Sequence, residues 1–349
     1  MPPGGLTQAL REEQFVSHDV IGHRAINSSL TRKGRRTGLK RLLPASILTG
    51  AVALVAPAVF LTGPVGAAAP VATGYTFVAA NGGTYGFGSA PAAGNIEGKS
   101  NAPVVGIAST SDGKGYWEAA SDGGVFSYGD APFVGSLGAI KLVKPIDGIV
   151  PASTGKGYYL FASDGGVFAF GAPFFGSAGD DHVDAPVVGM SLTPTGDGYY
   201  LVTAVGSVYA FGDAVFAGTI ESKFGAPLDG DSAVAIAANP IGTGYLIATS
   251  LGSIDSFGGA PFYNSPSLLG VTPTSPIVAL QYTPDGTGYW AVGADGGIFN
   301  FNATASTGTG STAKTVTTGD ANYYGSVPAQ IAKSGGSVTS PIVGFAPTL

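Results

Sequence analysis

The sequence contains no cysteine, little histidine and few charged residues, which make up 11% of its 349 positions. Without cysteine, neither disulfide bonds nor thiolate chemistry is possible. Of three histidines, only His182 lies after residue 69, and a hydrolase-type metal site needs several such ligands. The sequence also lacks the Gly-x-Ser-x-Gly turn of many serine hydrolases. These absences argue against nucleophilic and histidine-metal catalysis.

Basic residues are scarce after residue 69. Residues 1–69 hold eight of the 16 Lys and Arg residues but only three of the 22 Asp and Glu residues. The remainder therefore has eight basic and 19 acidic residues, a net charge of −11, and no arginine. Such a surface repels phosphate backbones, which makes nucleic acid an unfavourable partner.

Residues 1–69 are predicted to be a flexible basic leader followed by an export signal. A basic run at residues 32–41 precedes the apolar residues 42–63, and small residues follow at 65–69. This order is typical of a cleavable signal, and we expect an extracellular or cell-surface protein. The basic run also resembles a twin-arginine signal, carried by Arg35, Arg36, Leu39 and Lys40. The alternative is an uncleaved membrane anchor, because residues 42–63 are long enough to span a bilayer.

After residue 70 a Gly-Tyr pair returns at intervals of 41 to 46 residues. The tyrosines of these pairs are Tyr75, Tyr116, Tyr158, Tyr199, Tyr245 and Tyr289. A period in the forties that is carried by short β-like segments predicts propeller blades. The fullest copy, residues 115–136, follows an opening phrase at residues 103–110. Each unit is predicted to contain four short strands, the last at residues 133–136 in this copy.

The repeats are out of phase at the two ends of this region. Six Gly-Tyr units and six opening phrases occur, but the first Gly-Tyr unit has no phrase before it. The last phrase, residues 341–347, has no Gly-Tyr unit after it. A strand from one end that completes the sheet of the other end removes free sheet edges. The sequence therefore predicts an all-β fold, a six-bladed β-propeller over residues 70–349, closed by its C-terminal strand and preceded by a helical signal or anchor segment.

The pattern GY[WY]…DGGVF-x-[FY]GDAPF-x-GS resembles a repeat of secreted and cell-wall-associated proteins of actinobacteria. The resemblance covers residues 70–349 and implies a β-propeller-like fold at the cell exterior. In those proteins the repeat often accompanies separate hydrolase domains, and it carries over no catalytic or ligand residue. An insertion rich in Gly, Ser and Thr, residues 303–318, interrupts the last unit. We expect a surface loop there rather than a binding loop.

Aromatic pairs recur at one point of the repeat and are predicted to fill the space between blades, with sugar stacking as the alternative. The pairs are Tyr85/Phe87, Phe126/Tyr128, Phe168/Phe170, Tyr209/Phe211 and Phe299/Phe301. The aspartates of the DGG segments, Asp122, Asp164 and Asp295, recur like turn residues.

Four aspartates that do not recur are the candidate ligand-binding residues. Asp255 takes the place of an aromatic residue, and a carboxylate there must be exposed, paired or used for binding. Asp180, Asp181 and Asp184 lie in one loop, for which a solvated acidic loop is expected and calcium is the alternative. No other cofactor is expected. Asp229 and Asp231 are weaker candidates of the same kind, an acidic loop that could bind a ligand.

These observations favour a non-catalytic binding or structural module outside the cell, with a glycan or another cell-envelope component as ligand. The alternative is a propeller enzyme, a hydrolase or lyase of polysaccharide or peptide, with acidic residues near the central axis. A polar cluster at one mouth of the axis would favour the enzyme. The sequence leaves the oligomeric state open.

Overall fold

The computed structural model describes residues 70–349, except residues 180–182, 227, 308–313 and 335–338. The described part is mostly β: eighteen strands form six three-stranded antiparallel sheets, and two more form a hairpin. The leader, the export signal, Asp180 and Asp181 lie outside the described residues.

Every sheet has a Gly-Tyr strand at its centre. The first sheet has the order β2 (Thr84–Gly88), β1 (Gly74–Ala79), β20 (Ile342–Thr348). The second and third sheets are β3 (Val104–Ser109), β4 (Tyr116–Ala120), β5 (Val125–Tyr128), and β6 (Ile146–Pro151), β7 (Tyr158–Ala162), β8 (Val167–Phe170). The fourth and fifth are β9 (Val187–Leu192), β10 (Gly198–Thr203), β11 (Val208–Gly212), and β12 (Ala233–Ala238), β13 (Tyr245–Thr249), β14 (Ile254–Phe257). The sixth is β15 (Ile277–Tyr282), β16 (Gly288–Gly293), β17 (Ile298–Asn302).

The two ends of the described region share the first sheet. Thr348 of β20 lies opposite Gly74 of β1, and Phe345 lies opposite Phe77. The pairing expected between the last opening phrase and the first Gly-Tyr strand is therefore present. The six opening strands also contact one another in the order β20, β3, β6, β9, β12, β15, after which β15 contacts β20. Each sheet thus packs against its neighbour on both sides.

The hydrophobic core lies between neighbouring sheets. All residues of the six central strands are buried, because both faces of each strand meet another sheet. Trp117 of the second sheet meets Tyr158 of the third, with ring centroids 5.3 Å apart. Tyr75 of the first sheet meets Trp290 of the sixth in the same way, at 6.3 Å. Aromatic pairs of this kind add directional stabilisation to the burial of apolar area.

The predicted fourth strand is wrong. Residues 133–136 form no ladder with the strand beside them. Pro132, just before them, has no N–H to donate to a ladder, and the carbonyls of this segment are instead bound by side chains, as described below. The predicted turn role of the DGG aspartates is confirmed: the Gly124 N–H donates to Asp122 Oδ1 at 2.9 Å, and Gly166 donates to Asp164 at 3.1 Å.

Two helices and a hairpin interrupt the repeats. The predicted insertion loop contains the antiparallel strands β18 (Thr304–Thr307) and β19 (Lys314–Thr317), so the prediction of a loop there is wrong at these residues. α1 (Ile220–Phe224) begins after Thr219, whose side chain accepts the Ser222 N–H in a capping box. α2 (Val327–Ser334) lies in the last unit. Among the described residues, no helix has the length and apolar character needed to cross a bilayer.

Candidate functional site

The opening strands of all six sheets line one cavity of about 640 Å³, which we call the central cavity. Its walls come from β3, β6, β9, β12, β15 and β20, together with the turns that follow some of these strands. The volume falls in the range of pockets that hold small molecules. Because every repeat contributes an equivalent strand, any difference between the repeats makes the cavity asymmetric.

Each opening strand bulges at its second residue. In the second sheet Val104 lies opposite Ala120 and Gly106 lies opposite Ala119, so Val105 between them has no partner. The other five sheets show the same shift of register. A bulge redirects a side chain, and all six of these residues line the central cavity. We call them the bulge ring: Val105, Asp147, Val188, Val234, Val278 and Val343.

Asp147 is the member of the bulge ring that is not valine. It carries the only charged side chain among the residues that line the central cavity. It forms no hydrogen bond or ion pair with any described residue, and burial raises the pKa of its carboxyl group. Asp147 was not among the site residues predicted from the sequence. The signal was present in the opening phrase, which reads PVVG in two repeats and PIDG in this one.

A tyrosine latch joins each repeat to the one before it. The Tyr158 hydroxyl donates to the Gly135 carbonyl of the preceding repeat. The six donor–acceptor pairs are Tyr75–Gly325, Tyr116–Gly94, Tyr158–Gly135, Tyr199–Gly176, Tyr245–Gly218 and Tyr289–Asn264. Burial raises the pKa of Tyr289 to about 12, so its phenol remains a protonated donor at neutral pH.

The latch explains why glycine recurs at the acceptor position. Gly135 has φ +135°, and a Cβ there would lie 2.6 Å from the Phe170 ring of the next sheet. Phe170 in turn packs on Tyr158 with centroids 5.6 Å apart. The second member of each predicted aromatic pair packs on the central tyrosine of its own sheet in this manner. These contacts support core packing for those aromatics and not sugar stacking.

A different set of aromatics is exposed beside the latches. They occupy the third position of the Ala-Pro-Phe segment and are 39% to 61% exposed. We call them the rim aromatics: Phe133, Phe174, Phe216, Phe262 and Tyr323. The first repeat has Ala92 at the same position. The sequence predicted a fourth strand at these residues, and it did not predict that their aromatic rings would be exposed.

The backbone on both sides of a rim aromatic is fixed. Before Phe133, the Pro132 carbonyl accepts a 2.8 Å hydrogen bond from Trp117 Nε1, and after it Gly135 accepts from the latch tyrosine. The carbonyls before the other rim aromatics accept from Tyr159, Tyr200, Tyr282 and Trp290. An exposed ring on an anchored segment loses little backbone entropy when it binds a ligand.

Asp255 forms an ion pair with Lys223 of α1, with Asp255 Oδ1 and Lys223 Nζ 3.0 Å apart. The Lys223 ammonium also lies 5.1 Å from the centroid of the Phe257 ring. The carboxylate in the aromatic position is therefore paired, and the helix that pairs it was not predicted from the sequence. Asp255 does not line the central cavity.

Asp184 and Asp231, two of the other candidate aspartates, each have a local partner. Asp184 accepts a hydrogen bond from Ser207, and its predicted companions Asp180 and Asp181 are outside the described residues. Asp231 accepts from Ser250 Oγ at 2.6 Å and from the Leu251 N–H at 3.1 Å. It thereby supports the turn in which Leu251 replaces the usual aspartate. In the described part of the chain, no three His, Asp or Glu side chains converge on one metal position.

Glu118 is a buried carboxyl group outside the cavity. It is fully buried in β4, and neither of its carboxylate oxygens has a hydrogen bond partner. Burial raises its pKa to about 8, and the nearby Ile96 backbone offsets only part of this rise. Leu160 and Leu201 occupy the equivalent positions of β7 and β10. Glu118 thus replaces an apolar residue in the core between the first and second sheets.

No protein-family model matches the chain, and no curated protein matches its sequence.

Proposed function

We propose that residues 70–349 form a six-bladed β-propeller. Each three-stranded sheet is one blade, and β20 completes the first blade by pairing with β1. The cyclic order of contacts between opening strands supports this arrangement, as does the Tyr75–Gly325 latch between the two ends. Pairing with β20 gives β1 the opening strand that its own repeat lacks, so the edge of β1 is not free to pair with another chain.

The propeller is an exported module that acts at the cell surface or outside the cell. The order of basic, apolar and small residues in the leader supports export. Mass spectrometry of secreted protein should find a new N-terminus near residues 67–69, and an intact Met1 in the medium would contradict cleavage. Replacing Arg35 and Arg36 together by lysine should block export if the twin-arginine route is used.

The function that the geometry supports best is non-catalytic binding of a glycan through the rim aromatics. The single observation that carries this proposal is the exposure of an aromatic ring at the same anchored position in five repeats. Aromatic residues usually bury their area, so repeated exposure beyond a third of the side chain marks a contact surface. The first repeat has neither a rim aromatic nor an anchoring aromatic: Ala92 occupies the rim position, and Thr76 occupies the position where four of the other repeats have an anchoring Trp or Tyr.

A β-linked pyranose polymer is the ligand class that this surface fits. Its sugar rings carry equatorial substituents, so their C–H bonds lie on both flat faces and stack on the electron-rich face of an aromatic ring. Nucleic acid bases stack in a similar way, but the charge of −11 on residues 70–349 opposes a phosphate backbone. A polymer that touches several rim aromatics gains affinity through multivalency. The resemblance of the repeat to those of cell-wall-associated proteins agrees with this ligand.

The central cavity does not favour the enzyme alternative. Glycoside hydrolysis of the common kind uses two carboxyl groups that flank the scissile bond. Asp147 has the only side-chain carboxylate among the residues that line the cavity. Asp255, the predicted asymmetric acid, is paired with Lys223 away from the cavity. We therefore place binding ahead of hydrolysis.

The test is binding of the full-length protein to cello- and chito-oligosaccharide arrays and to insoluble cellulose and chitin. Alanine replacements at all five rim aromatics should weaken binding at least tenfold while the melting temperature changes little, because these rings are exposed. A matched control removes five other exposed apolar side chains: Ile140, Val143, Ile241, Leu268 and Leu269. The control should bind like the native protein. The proposal fails if no β-linked glycan binds, or if the rim variant binds as well as the control.

A further inference from the structure

The bulge ring places one charged side chain among five valines on the wall of the central cavity. The six residues are equivalent because each is the unpaired second residue of an opening strand. Five are valine, so the walls at this level are apolar except at Asp147. This asymmetry does not arise from the repeat itself, which would place a sixth valine there.

Asp147 has the properties of a binding group and not of a structural one. The turn aspartates Asp122, Asp164 and Asp295 each accept a backbone hydrogen bond. Asp147 accepts none from any described residue, and no described lysine forms an ion pair with it. A carboxylate that is partly desolvated and unpaired destabilises the fold unless a partner reaches it. The position is open to the cavity, so a ligand can supply that partner.

The charge and shape of the cavity indicate the class of the ligand. A metal ion such as Ca²⁺ needs six or more oxygen ligands, usually from several carboxylates, and the neighbouring bulge residues are valines. A neutral or anionic ligand that filled the cavity would exclude water from Asp147 and leave its charge unpaired. An organic cation satisfies both features, because its ammonium group pairs with the carboxylate and its apolar part contacts the valines.

We propose that the central cavity binds an organic ammonium ion, which pairs with Asp147 while its apolar body packs against the valines of the bulge ring. This site is separate from the rim aromatics, and it does not depend on glycan binding. The cavity volume of about 640 Å³ accommodates a molecule of several carbon atoms beside the ammonium group.

The experiment is isothermal titration calorimetry of the full-length protein with hexylammonium chloride as the probe. Hexan-1-ol and sodium hexanoate have the same apolar chain with a neutral and an anionic head, and calcium chloride tests the metal alternative. Native protein should bind hexylammonium at least tenfold more tightly than hexanol. Asp147→Val, which completes the valine ring, and Asp147→Asn, which keeps the side-chain shape, should each abolish this preference. Asp197→Asn, which makes the same charge change at an exposed residue outside the cavity, should retain it.

A relocation variant separates loss of the site from general damage. Asp147→Val combined with Val188→Asp moves the carboxylate to the bulge of the next sheet, which faces the same cavity. This double variant should recover the preference for hexylammonium over hexanol. The proposal is overturned if native protein does not prefer hexylammonium, or if Asp147→Asn binds it as tightly as native. Saturable calcium binding that Asp147→Asn abolishes would also overturn it, because the site would then be a metal site.

Discussion

Glu118 should make the stability of the fold depend on pH in a specific direction. Its pKa is raised from the ordinary value of 4.5 to about 8, because folding removes the carboxyl group from water without giving it a hydrogen bond. The folded state therefore keeps the proton that the unfolded chain releases above pH 4.5. Stability is fully present below that pH, falls as the pH rises toward 8, and is constant above it.

The magnitude follows from 1.36 kcal/mol per pKa unit. Between pH 5 and pH 8, the native protein should lose about 3 to 4 kcal/mol of unfolding free energy relative to a Glu118→Gln variant, which cannot ionise. Glu118→Leu should also lose the pH dependence, and it should be more stable than Glu118→Gln because it restores the apolar residue found in β7 and β10. Urea unfolding of the three proteins at several pH values measures these differences. An equal difference between native and Gln variant at pH 5 and pH 8 would refute the reasoning.

Three further predictions concern the latches, the closure and the ion pair. Gly135→Ala should destabilise by at least about 3 kcal/mol, because it combines positive φ with a Cβ 2.6 Å from the Phe170 ring, whereas Gly98→Ala meets no atom within 4 Å and should lose only about 1 kcal/mol. Urea unfolding compares them, and equal losses would exclude the contact with Phe170 as the cause. Phe345→Ala should cost about 3 to 5 kcal/mol and lower the melting temperature, since this ring of β20 packs on aromatics of β1 and β16; an unchanged melting temperature would show that closure contributes little. Asp255→Asn should lose under about 1 kcal/mol, because the Lys223 side chain is 37% exposed and water screens the ion pair. A larger loss by thermal unfolding would contradict this screening.

The sequence predicted the sheets well because their signals are local and repeated. The Gly-Tyr strands, the DGG turns and the out-of-phase opening phrases each depend on neighbouring residues or on a constant period. The fourth strand was predicted wrongly for the opposite reason. The carbonyl of Gly135 is bound by a hydroxyl 23 residues away in the next repeat, and strand propensity alone does not reveal such a contact.

The candidate sites were harder to predict from the sequence. In a regular strand, successive side chains point alternately to the two faces of the sheet, and this rule alone does not place Asp147 at the cavity. A β-bulge at Asp147 breaks the alternation and directs its side chain into the cavity. Asp255 was correctly identified as unusual, but its partner lies on a helix that occupies an extra segment of one repeat. Residue-by-residue alignment of the opening phrases would have found Asp147, and the same alignment of the central strands would have found Glu118.

The tyrosine latches have a consequence for how the repeats can be exchanged. Each latch takes its donor from one repeat and its acceptor from the repeat before it, and all six use the same pair of groups. A transplanted repeat therefore meets compatible neighbours wherever it is inserted in the cycle. Its bulge residue and its rim residue move with it, and they face different surroundings. Exchanging single repeats can thus change one position of the bulge ring and one rim position at a time, while the tyrosine latches between the repeats remain the same.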